Sequence, residues 1–288
     1  MLCRTEVRHE APAGIERAVC LSSRMEVFRP RALDEALRLR AAHPEARPIQ
    51  GGTDVLVELT FGHSRPDALL DLSELAELRG FTEEDGVLRL GSGLTYTEAM
   101  QAPLATRLPA LAEASRTVGS PQIRNRGTIG GNLGTGSPAG DALPPLLAER
   151  ADVELASVRG VRTLPLEDFL LGVKRTALAP DELVSAIRVR PSGGAQTFAK
   201  VGPRNAMVIA ICSLAVVVDT TEGEVRAAFG SAAVTAKRVT VSLADAAELP
   251  DRIGEAAAPI DDVRATAKYR RHALRVLASR TLERCLRS

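Results

Sequence analysis

Glycine is concentrated in one stretch of this chain. Seven of the 23 glycines fall within a 22-residue segment that carries few large apolar side chains. The segment runs from Gly119 to Gly140, and its glycines are Gly119, Gly127, Gly130, Gly131, Gly134, Gly136 and Gly140. A long loop inside a folded domain is either functional or disordered. Helical patterns flank it at Pro109–Val118 and Ala142–Glu149, so we expect a functional loop whose backbone closely approaches a ligand.

A second glycine turn lies nearer the start of the chain. The pattern predicts a strand at Arg47–Gln50, a turn at Gly51-Gly52-Thr53-Asp54 and a helix at Val55–Leu59. The N–H groups of such a turn can point at an oxyanion, and the helix dipole adds positive potential. Within the long segment, Thr128-Ile129-Gly130-Gly131-Asn132 offers further N–H donors, a hydroxyl and an amide. Each turn by itself is compatible with a simple tight turn, but the pair favours a nucleotide diphosphate.

Several familiar nucleotide and catalytic motifs are absent from the sequence. There is no Gly-Lys pair for a phosphate-binding loop of the GxxxxGK[ST] type, no GxGxxG after a first strand, and no GxSxG. The histidines lie in charged or polar surroundings without metal-ligand spacing: His9, His43, His63 and His272. Without an acid–base set of its own, the chain needs a cofactor to take part in chemistry. Asp141 suits either a hydrogen bond to such a cofactor or the cap of the helix that follows it.

Composition narrows the possible partners and location. The net charge of +1 creates no global field toward nucleic acid, and eight aromatic residues provide few stacking platforms. The longest uncharged apolar run, at positions 206–218, is thirteen residues and resembles a buried strand more than a membrane span, which needs about 18. The cysteines form no CxxC pair, and no signal-peptide core is present. We therefore expect no metal site, no membrane insertion and a cytoplasmic location.

The succession of strands and helices predicts an α+β chain with two domains. Residues 1–24 show little periodicity, and a regular pattern begins at Met25. The best boundary is Pro191-Ser192-Gly193-Gly194, which separates a domain at 25–190 from one at 191–288. The second domain is predicted to contain three strands and one long amphipathic helix, from about Asp262 to Leu286.

Seven segments, which follow one another along the chain in the same order as in the family, resemble one known protein family. They read MEVFRPRALDEALRL, PIQGGTDVLVEL, LLDLSELAELRGF, VGSPQIRNRGTIGGNLGTGSPAGDALPPLLA, DELVSAIRV, FAKVGPRNAMVIAICSLAV and PIDDVRATAKYRRHALRVL. They are similar to the FAD-binding medium subunit of the molybdenum hydroxylases, which include the xanthine and carbon monoxide dehydrogenases. The similarity runs from Met25 to the C-terminus, about 260 residues.

The resemblance implies both a fold and a binding site. The fold would be a two-part FAD-binding domain of the PCMH (vanillyl-alcohol-oxidase-like) type, followed by a smaller α+β domain with a three-stranded sheet and helices. FAD would lie between the two parts, held without a covalent bond. The positions that match the family's cofactor contacts are Arg47, Pro48, Ile49, Gln50, Gly51, Gly52, Thr53, Asp54, Thr128, Ile129, Gly130, Gly131, Asn132, Asp141, Leu183 and Lys200. Leu183 corresponds to an apolar residue near the flavin ring, and Lys200 to a basic residue close to it.

The resemblance also implies a heterotrimer in which each subunit carries a different cofactor. A large subunit would carry molybdopterin, and a small subunit would pass electrons through two [2Fe–2S] clusters to FAD, which would reduce NAD or another acceptor. The segments PQIRN and KVGPRNAMVIA favour the xanthine dehydrogenase branch. Alternatives are the medium subunit of a carbon monoxide, aldehyde or aromatic hydroxylase, a flavin-free assembly module, and a self-sufficient flavin oxidase.

Three features depart from the family pattern. Gln50 occupies a position where Ala or Gly is usual, and Ala233-Val234-Thr235-Ala236 lacks the two prolines of the usual turn. Residues 1–24 precede the usual start, so we expect Met25 to be the native initiator and the extension to be absent from the natural protein. N-terminal sequencing of natively expressed protein tests this expectation, and a mature start at Met1 would contradict it.

Overall fold

A computed structural model describes residues 25–287, so the expectation about residues 1–24 lies outside the described part of the chain. The first layer is a small parallel sheet with strand order β1-β3-β2. Its elements are β1 (Glu26–Phe28), α1 (Leu33–Ala42), β2 (Arg47–Ile49), α2 (Val55–Thr60) and β3 (Ala68–Asp71). The helix α1 buries Ala36 and Leu37 against this sheet, as their spacing predicts.

The middle of the chain forms a five-stranded antiparallel sheet of order β4-β5-β10-β6-β7 with helices packed on it. Its elements are β4 (Phe81–Glu84), β5 (Val87–Gly91), α3 (Tyr96–Ala99), α4 (Leu104–Arg107), α5 (Pro109–Arg116), α6 (Pro121–Arg126), α7 (Ile129–Thr135), α8 (Leu143–Ala148), β6 (Asp152–Ser157), β7 (Gly160–Pro165), α9 (Leu166–Phe169), β8 (Leu170–Gly172), β9 (Arg175–Thr176) and β10 (Leu183–Val189). The hairpin turn between β4 and β5 has positive φ at both Asp85 and Gly86. This is the geometry that favours Asp-Gly in two-residue hairpins.

The last part of the chain is a four-stranded antiparallel sheet covered by two helices. Its elements are β11 (Ala195–Val201), β12 (Cys212–Asp219), β13 (Glu224–Gly230), β14 (Lys237–Ser242), α10 (Leu249–Ala256) and α11 (Ala267–Arg287). Strand β12 is buried along its whole length, so the apolar run is a core strand from Cys212 onward, as predicted. Positions 206–211 precede the strand, and Met207 and Ile209 are exposed. Leu214 and Val216 face α11, whereas Ala215 and Val217 join the core that contains α5 and α8.

The structure confirms the α+β class and differs from the predicted elements in three places. A fourth strand, β14, extends the three predicted strands of the last sheet. Its alternating Val239 and Val241 are a strand signal that was missed because the strand is half exposed at the sheet edge. The glycine segment is largely helical, since α6 and α7 occupy it. Finally, α11 begins at Ala267 instead of Asp262.

Candidate functional site

A cleft of about 510 Å³ lies between the small parallel sheet and the helices of the middle part. Its walls are the turn between β2 and α2, the helix α7, and the start of β10. The volume is that of a site for a small organic molecule or part of a nucleotide. The two glycine segments, which are about 75 residues apart in the sequence, therefore line the same cavity.

The first glycine turn presents unpaired backbone donors to this cleft. Among the described residues, no acceptor pairs with the N–H groups of Gly51, Gly52, Thr53 or Asp54. Gly52 has a φ of +76°, a conformation that glycine adopts without strain. Four adjacent N–H groups without an acceptor in the described chain can donate to an anion bound in the cleft. Since α2 has only six residues, these amides contribute more than any helix dipole.

The second glycine segment uses its backbone donors internally. The Gly130 N–H donates to the Ser92 carbonyl at 2.9 Å, and the N–H groups of Gly131 and Asn132 donate to the hydroxyl and carbonyl of Thr128, each at 3.0 Å. The Ile129 N–H also has an acceptor, the Leu94 carbonyl at 2.9 Å. Of the five N–H groups expected to be free donors, that of Thr128 alone has no acceptor among the described residues. Also available are the Thr128 hydroxyl proton and the Asn132 side-chain NH₂, whose Oδ1 accepts from the Ala142 N–H at 3.2 Å.

Close packing explains why glycine stands at two of these positions. A Cβ on Gly51 would lie 1.9 Å from the Arg126 carbonyl oxygen, and a Cβ on Gly130 would lie 2.3 Å from the Ser92 Cβ. The two segments are also joined by the Thr135 hydroxyl, which donates to Asp54 Oδ2 at 2.8 Å. Valine at Gly130 would therefore disturb the fold as well as any ligand.

Asp141 and Lys200 form a buried ion pair instead of lining the cleft. Lys200 Nζ lies 2.6 Å from Asp141 Oδ2 and also donates to the Thr117 carbonyl at 2.9 Å. Burial raises the pKa of Asp141, and the Lys200 ammonium opposes that rise. The other carboxylate oxygen, Oδ1, is buried without a hydrogen-bond partner among the described residues. Asp141 does not cap α8, whose N-cap position is Ala142 with no side-chain cap.

Thirteen of the sixteen predicted site residues line the cleft, and three do not. The three are Asp141, Lys200 and Ile129, whose side chain is fully buried in the core. Gln50 keeps its side chain at the cleft wall, where a Cβ on Gly93 would lie 2.6 Å from the Gln50 Nε2. Leu183 lines the cleft at the start of β10, beside Val184.

Sequence reasoning missed several residues that line the cleft. They include Arg40, Ser92, Tyr96, Val118, Ile123, Gly134, Thr135 and Leu178. Ser92 and Tyr96 follow β5, a strand with no motif of its own, so only the packing of α3 against the second glycine segment places them here. An isolated bridge between Thr95 and Thr128 marks this contact.

The cleft residues fit a cofactor that carries a diphosphate. They supply free amides for an anion, the Thr128 hydroxyl and the Asn132 side-chain amide as further donors, and an apolar surface at Leu183. Across residues 25–287 there is no cluster of three or more potential metal ligands, and no helix is both long and apolar enough to span a bilayer. The fold and cleft thus define a protein that binds an extended nucleotide cofactor.

Comparison with known proteins specifies this class further. The family described as the FAD binding domain in molybdopterin dehydrogenase matches residues 23–191. The xanthine dehydrogenase FAD-binding subunit of Escherichia coli O157:H7 is 33% identical over 273 residues, which cover 88% of this chain and 93% of that protein. The nicotinate dehydrogenase FAD-subunit of Eubacterium barkeri is 37% identical over 194 residues, covering 65% and 66%.

The solved structures agree with the sequence comparison. The carbon monoxide dehydrogenase of Hydrogenophaga pseudoflava contains a chain that superposes with a TM-score of 0.84 at 28% identity, covering 91% of this chain and 97% of that one. This chain belongs to the family of FAD-binding medium subunits of the molybdenum hydroxylases. It is thus a subunit of an oxidoreductase, and its cofactor is FAD.

Proposed function

We propose that this chain is the FAD-carrying electron-transfer subunit of a xanthine dehydrogenase. It would take electrons from the [2Fe–2S] clusters of a small partner subunit and pass them to NAD or another acceptor, while a large partner subunit oxidises the substrate at molybdopterin. The observation that carries the cofactor role is the row of free N–H groups from Gly51 to Asp54 in the cleft. The xanthine assignment is supported by the similarity to a xanthine dehydrogenase subunit over 88% of the chain.

The residues of the cleft would hold FAD in the following way. Bound FAD supplies the redox chemistry, which the chain lacks by itself. The free amides of the first turn bind the diphosphate, and the Thr128 hydroxyl and Asn132 NH₂ donate from the opposite wall. Leu183 provides an apolar surface. Asp141 lies outside the cleft lining, and its hydrogen bond to the cofactor is what the family resemblance implies. Lys200 fixes Asp141 and adds a positive charge near the cofactor. No His or Cys is among the cleft residues in the described part of the chain, which supports noncovalent binding.

A substitution at Gly134 tests the cofactor site without breaking the fold. This glycine lines the cleft, and a Cβ placed on it meets no atom within 4 Å. Gly134→Leu should therefore lower FAD affinity about tenfold or more by filling the cleft, with an unchanged melting temperature. Ser279→Leu, on the exposed face of α11, is the control for added apolar surface. The measurement is FAD occupancy from visible absorbance after reconstitution. Equal occupancy in both variants, or a wild-type chain that remains colourless, would contradict the assignment.

A related hydroxylase is a second candidate, because the nicotinate dehydrogenase subunit is 37% identical over its matched region and the carbon monoxide dehydrogenase chain shares the fold. The discriminating experiment uses the complex purified from its native cell. We expect xanthine, under anaerobic conditions, to bleach the flavin of the complex but not that of the isolated chain. Bleaching by nicotinate or carbon monoxide instead would replace the xanthine assignment. Bleaching of the isolated chain by small hydroxy acids or amines would indicate a self-sufficient oxidase.

We also propose a cytoplasmic location for the complex. Cys212 is buried in the core of the last sheet and forms no disulfide with a described residue. Reduced thiols are typical of a reducing compartment. Cell fractionation that finds the complex outside the cytoplasm would contradict this proposal.

A further inference from the structure

Tyr96 is held rigidly at the edge of the cleft. It is the first residue of α3, which is preceded by a complete capping box between Thr95 and Glu98. Its N–H donates to the Gly127 carbonyl at 3.2 Å, and a Cβ on Gly127 would lie 3.2 Å from two ring carbons of Tyr96. The ring is therefore clamped between the cap of α3 and the backbone that leads into the second glycine segment.

The hydroxyl group of this ring has no partner among residues 25–287. Tyr96 is 5% exposed and lines the cleft, and no described residue forms a hydrogen bond with its hydroxyl. The neighbouring core side chains pack against the ring but offer no hydrogen bond to its oxygen. The Tyr96 oxygen is not one of the fully buried unpaired atoms of the described residues, so it is open to the cleft. A fixed hydroxyl there, without a partner among the described residues, can donate to an acceptor on a bound ligand.

Burial and nearby negative charges keep the Tyr96 hydroxyl protonated. Burial raises the pKa of Tyr96 well above its ordinary value, and the negative charges of Asp141 and Asp54 raise it further. The hydroxyl therefore keeps its proton at neutral pH and can donate. A Cβ on Gly51 would lie 3.2 Å from the Gly127 Cα, and the Tyr96 ring packs against the same Gly127. Tyr96 and the first glycine turn therefore line the same part of the cleft.

We propose that the Tyr96 hydroxyl donates a hydrogen bond to a phosphate oxygen of FAD and thereby positions the diphosphate against the first glycine turn. This inference rests on the proposed function, because it requires FAD to occupy the cleft. It adds to the site a side chain that no glycine motif identifies. The tyrosine would act as a positioning residue for the cofactor.

The sequence offers a matched pair of variants for the test. The chain contains two tyrosines and no tryptophan, and the other tyrosine, Tyr269, is 47% exposed on α11. Tyr96→Phe removes one hydroxyl and keeps the ring packing, whereas Tyr269→Phe removes a hydroxyl outside the cleft. A hydrogen bond to a charged group corresponds to a change in affinity of about tenfold or more.

Affinities for three ligands distinguish the phosphate contact from others. We expect Tyr96→Phe to bind FAD and ADP about tenfold more weakly than wild type, with riboflavin affinity and the melting temperature of the unliganded chain unchanged. Tyr269→Phe should match wild type for all three ligands. Calorimetry measures each dissociation constant. A loss confined to riboflavin would overturn the phosphate contact, since riboflavin carries no phosphate.

A spectroscopic titration measures the ionisation of the Tyr96 hydroxyl directly. In Tyr269→Phe, Tyr96 is the one remaining tyrosine, so tyrosinate absorbance reports its ionisation. Saturating ADP should move that ionisation to higher pH, because the donated proton becomes harder to remove. An unchanged titration would overturn the inference.

The outcomes separate this inference from the proposed function. A wild-type chain that binds neither FAD nor ADP contradicts the proposed function and this inference together. Normal FAD binding by wild type and equally tight binding by Tyr96→Phe overturns the Tyr96 contact alone and leaves the cofactor assignment in place.

Discussion

At the residue scale, Gly51 is required by packing more than by backbone conformation. Its φ is not in the left-handed region, unlike that of Gly52. The constraint is the Arg126 carbonyl oxygen, which would lie 1.9 Å from any Cβ at this position. The close approach brings the two glycine segments to the same cleft. The sequence showed that glycine stands here, but the atom that requires it belongs to a residue 75 positions away.

Alanine at Gly51 should therefore destabilise the chain. We expect Gly51→Ala to lower the free energy of unfolding by about 1–3 kcal/mol, the usual range for overpacking, and to weaken FAD binding as the segments separate. Gly134→Ala is the control, since its Cβ enters open space within α7 and alanine favours helix, so its stability should be unchanged or higher. Urea unfolding of both variants measures the difference. Equal midpoints for the two would show that the contact with Arg126 relaxes without cost.

At the element scale, the start of α11 depends on a turn that carries several hydrogen bonds to one carboxylate. Asp262 accepts from the guanidinium groups of Arg264 and Arg270 and from the backbone N–H of Arg264 and Ala265. Arg270 is fully buried and also donates to the carbonyls of Ile211 and Ser231. The helical pattern of the sequence extends back to Asp262, but these bonds favour a turn and delay the helix until Ala267.

This turn makes stability depend on pH in a defined direction. The hydrogen bond from Arg264, with those from Arg270 and the backbone, holds the pKa of Asp262 well below its usual value. Since the folded pKa is depressed, the contribution is present above the unfolded pKa, near 4, and is lost as the pH falls further. Asp262→Asn should lower the melting temperature at pH 7, and the gap to wild type should narrow below about pH 4.

Asp251→Asn is the matched control for this pH series. Asp251 forms a single exposed ion pair with Arg275 at 3.3 Å, which should contribute little to stability. Melting curves from pH 7 downward, for both variants and wild type, measure the effect. A gap for Asp262→Asn that stays constant with pH would mean that its charge is not the source of stability.

At the scale of the whole molecule, one buried arginine joins the last sheet to the rest of the protein. Arg226, on β13, is 3% exposed and donates to the Ala148 carbonyl of α8 at 2.8 Å. It also pairs with Glu149 at 3.4 Å, Asp219 at 3.1 Å and Glu224 at 2.7 Å. Burial raises the pKa of Glu149, and Arg226 opposes that rise. The positive charge of Arg226 thus offsets the negative charges of carboxylates on both sides of the contact between α8 and the sheet.

Removing this arginine should cost far more than removing an exposed neighbour. Arg226→Met leaves Glu149 and Asp219 without their buried counter-charge, so we expect a loss of about 3–5 kcal/mol in the free energy of unfolding. Arg150→Met removes a half-exposed partner of Glu222 and Glu224 and should cost less than about 1 kcal/mol. Chemical denaturation of the full chain gives both values. A similar loss in the free energy of unfolding for the two variants would show that Arg226 is not the buried counter-charge that holds the last sheet to α8.

The sequence alone is enough to predict the α+β class, the buried strand within positions 206–218, and the two glycine segments. These features follow from local periodicity and from backbone conformations that few residues adopt, so they can be read without knowing distant partners. The sequence also carried the motifs of the FAD-binding medium subunits, a membership that the comparisons confirm.

Only the tertiary structure decided which donors of the two glycine segments are free. A backbone N–H is saturated by one good acceptor, and the acceptors for the second segment come from Ser92 and from the Thr128 side chain after the chain has folded. The same holds for Asp141, whose partner Lys200 is 59 residues away, and for Tyr96, whose hydroxyl was left unpaired by the packing of its ring. Hydrogen-bond availability depends on what lies within about 3 Å in space, and sequence spacing carries no information about that distance.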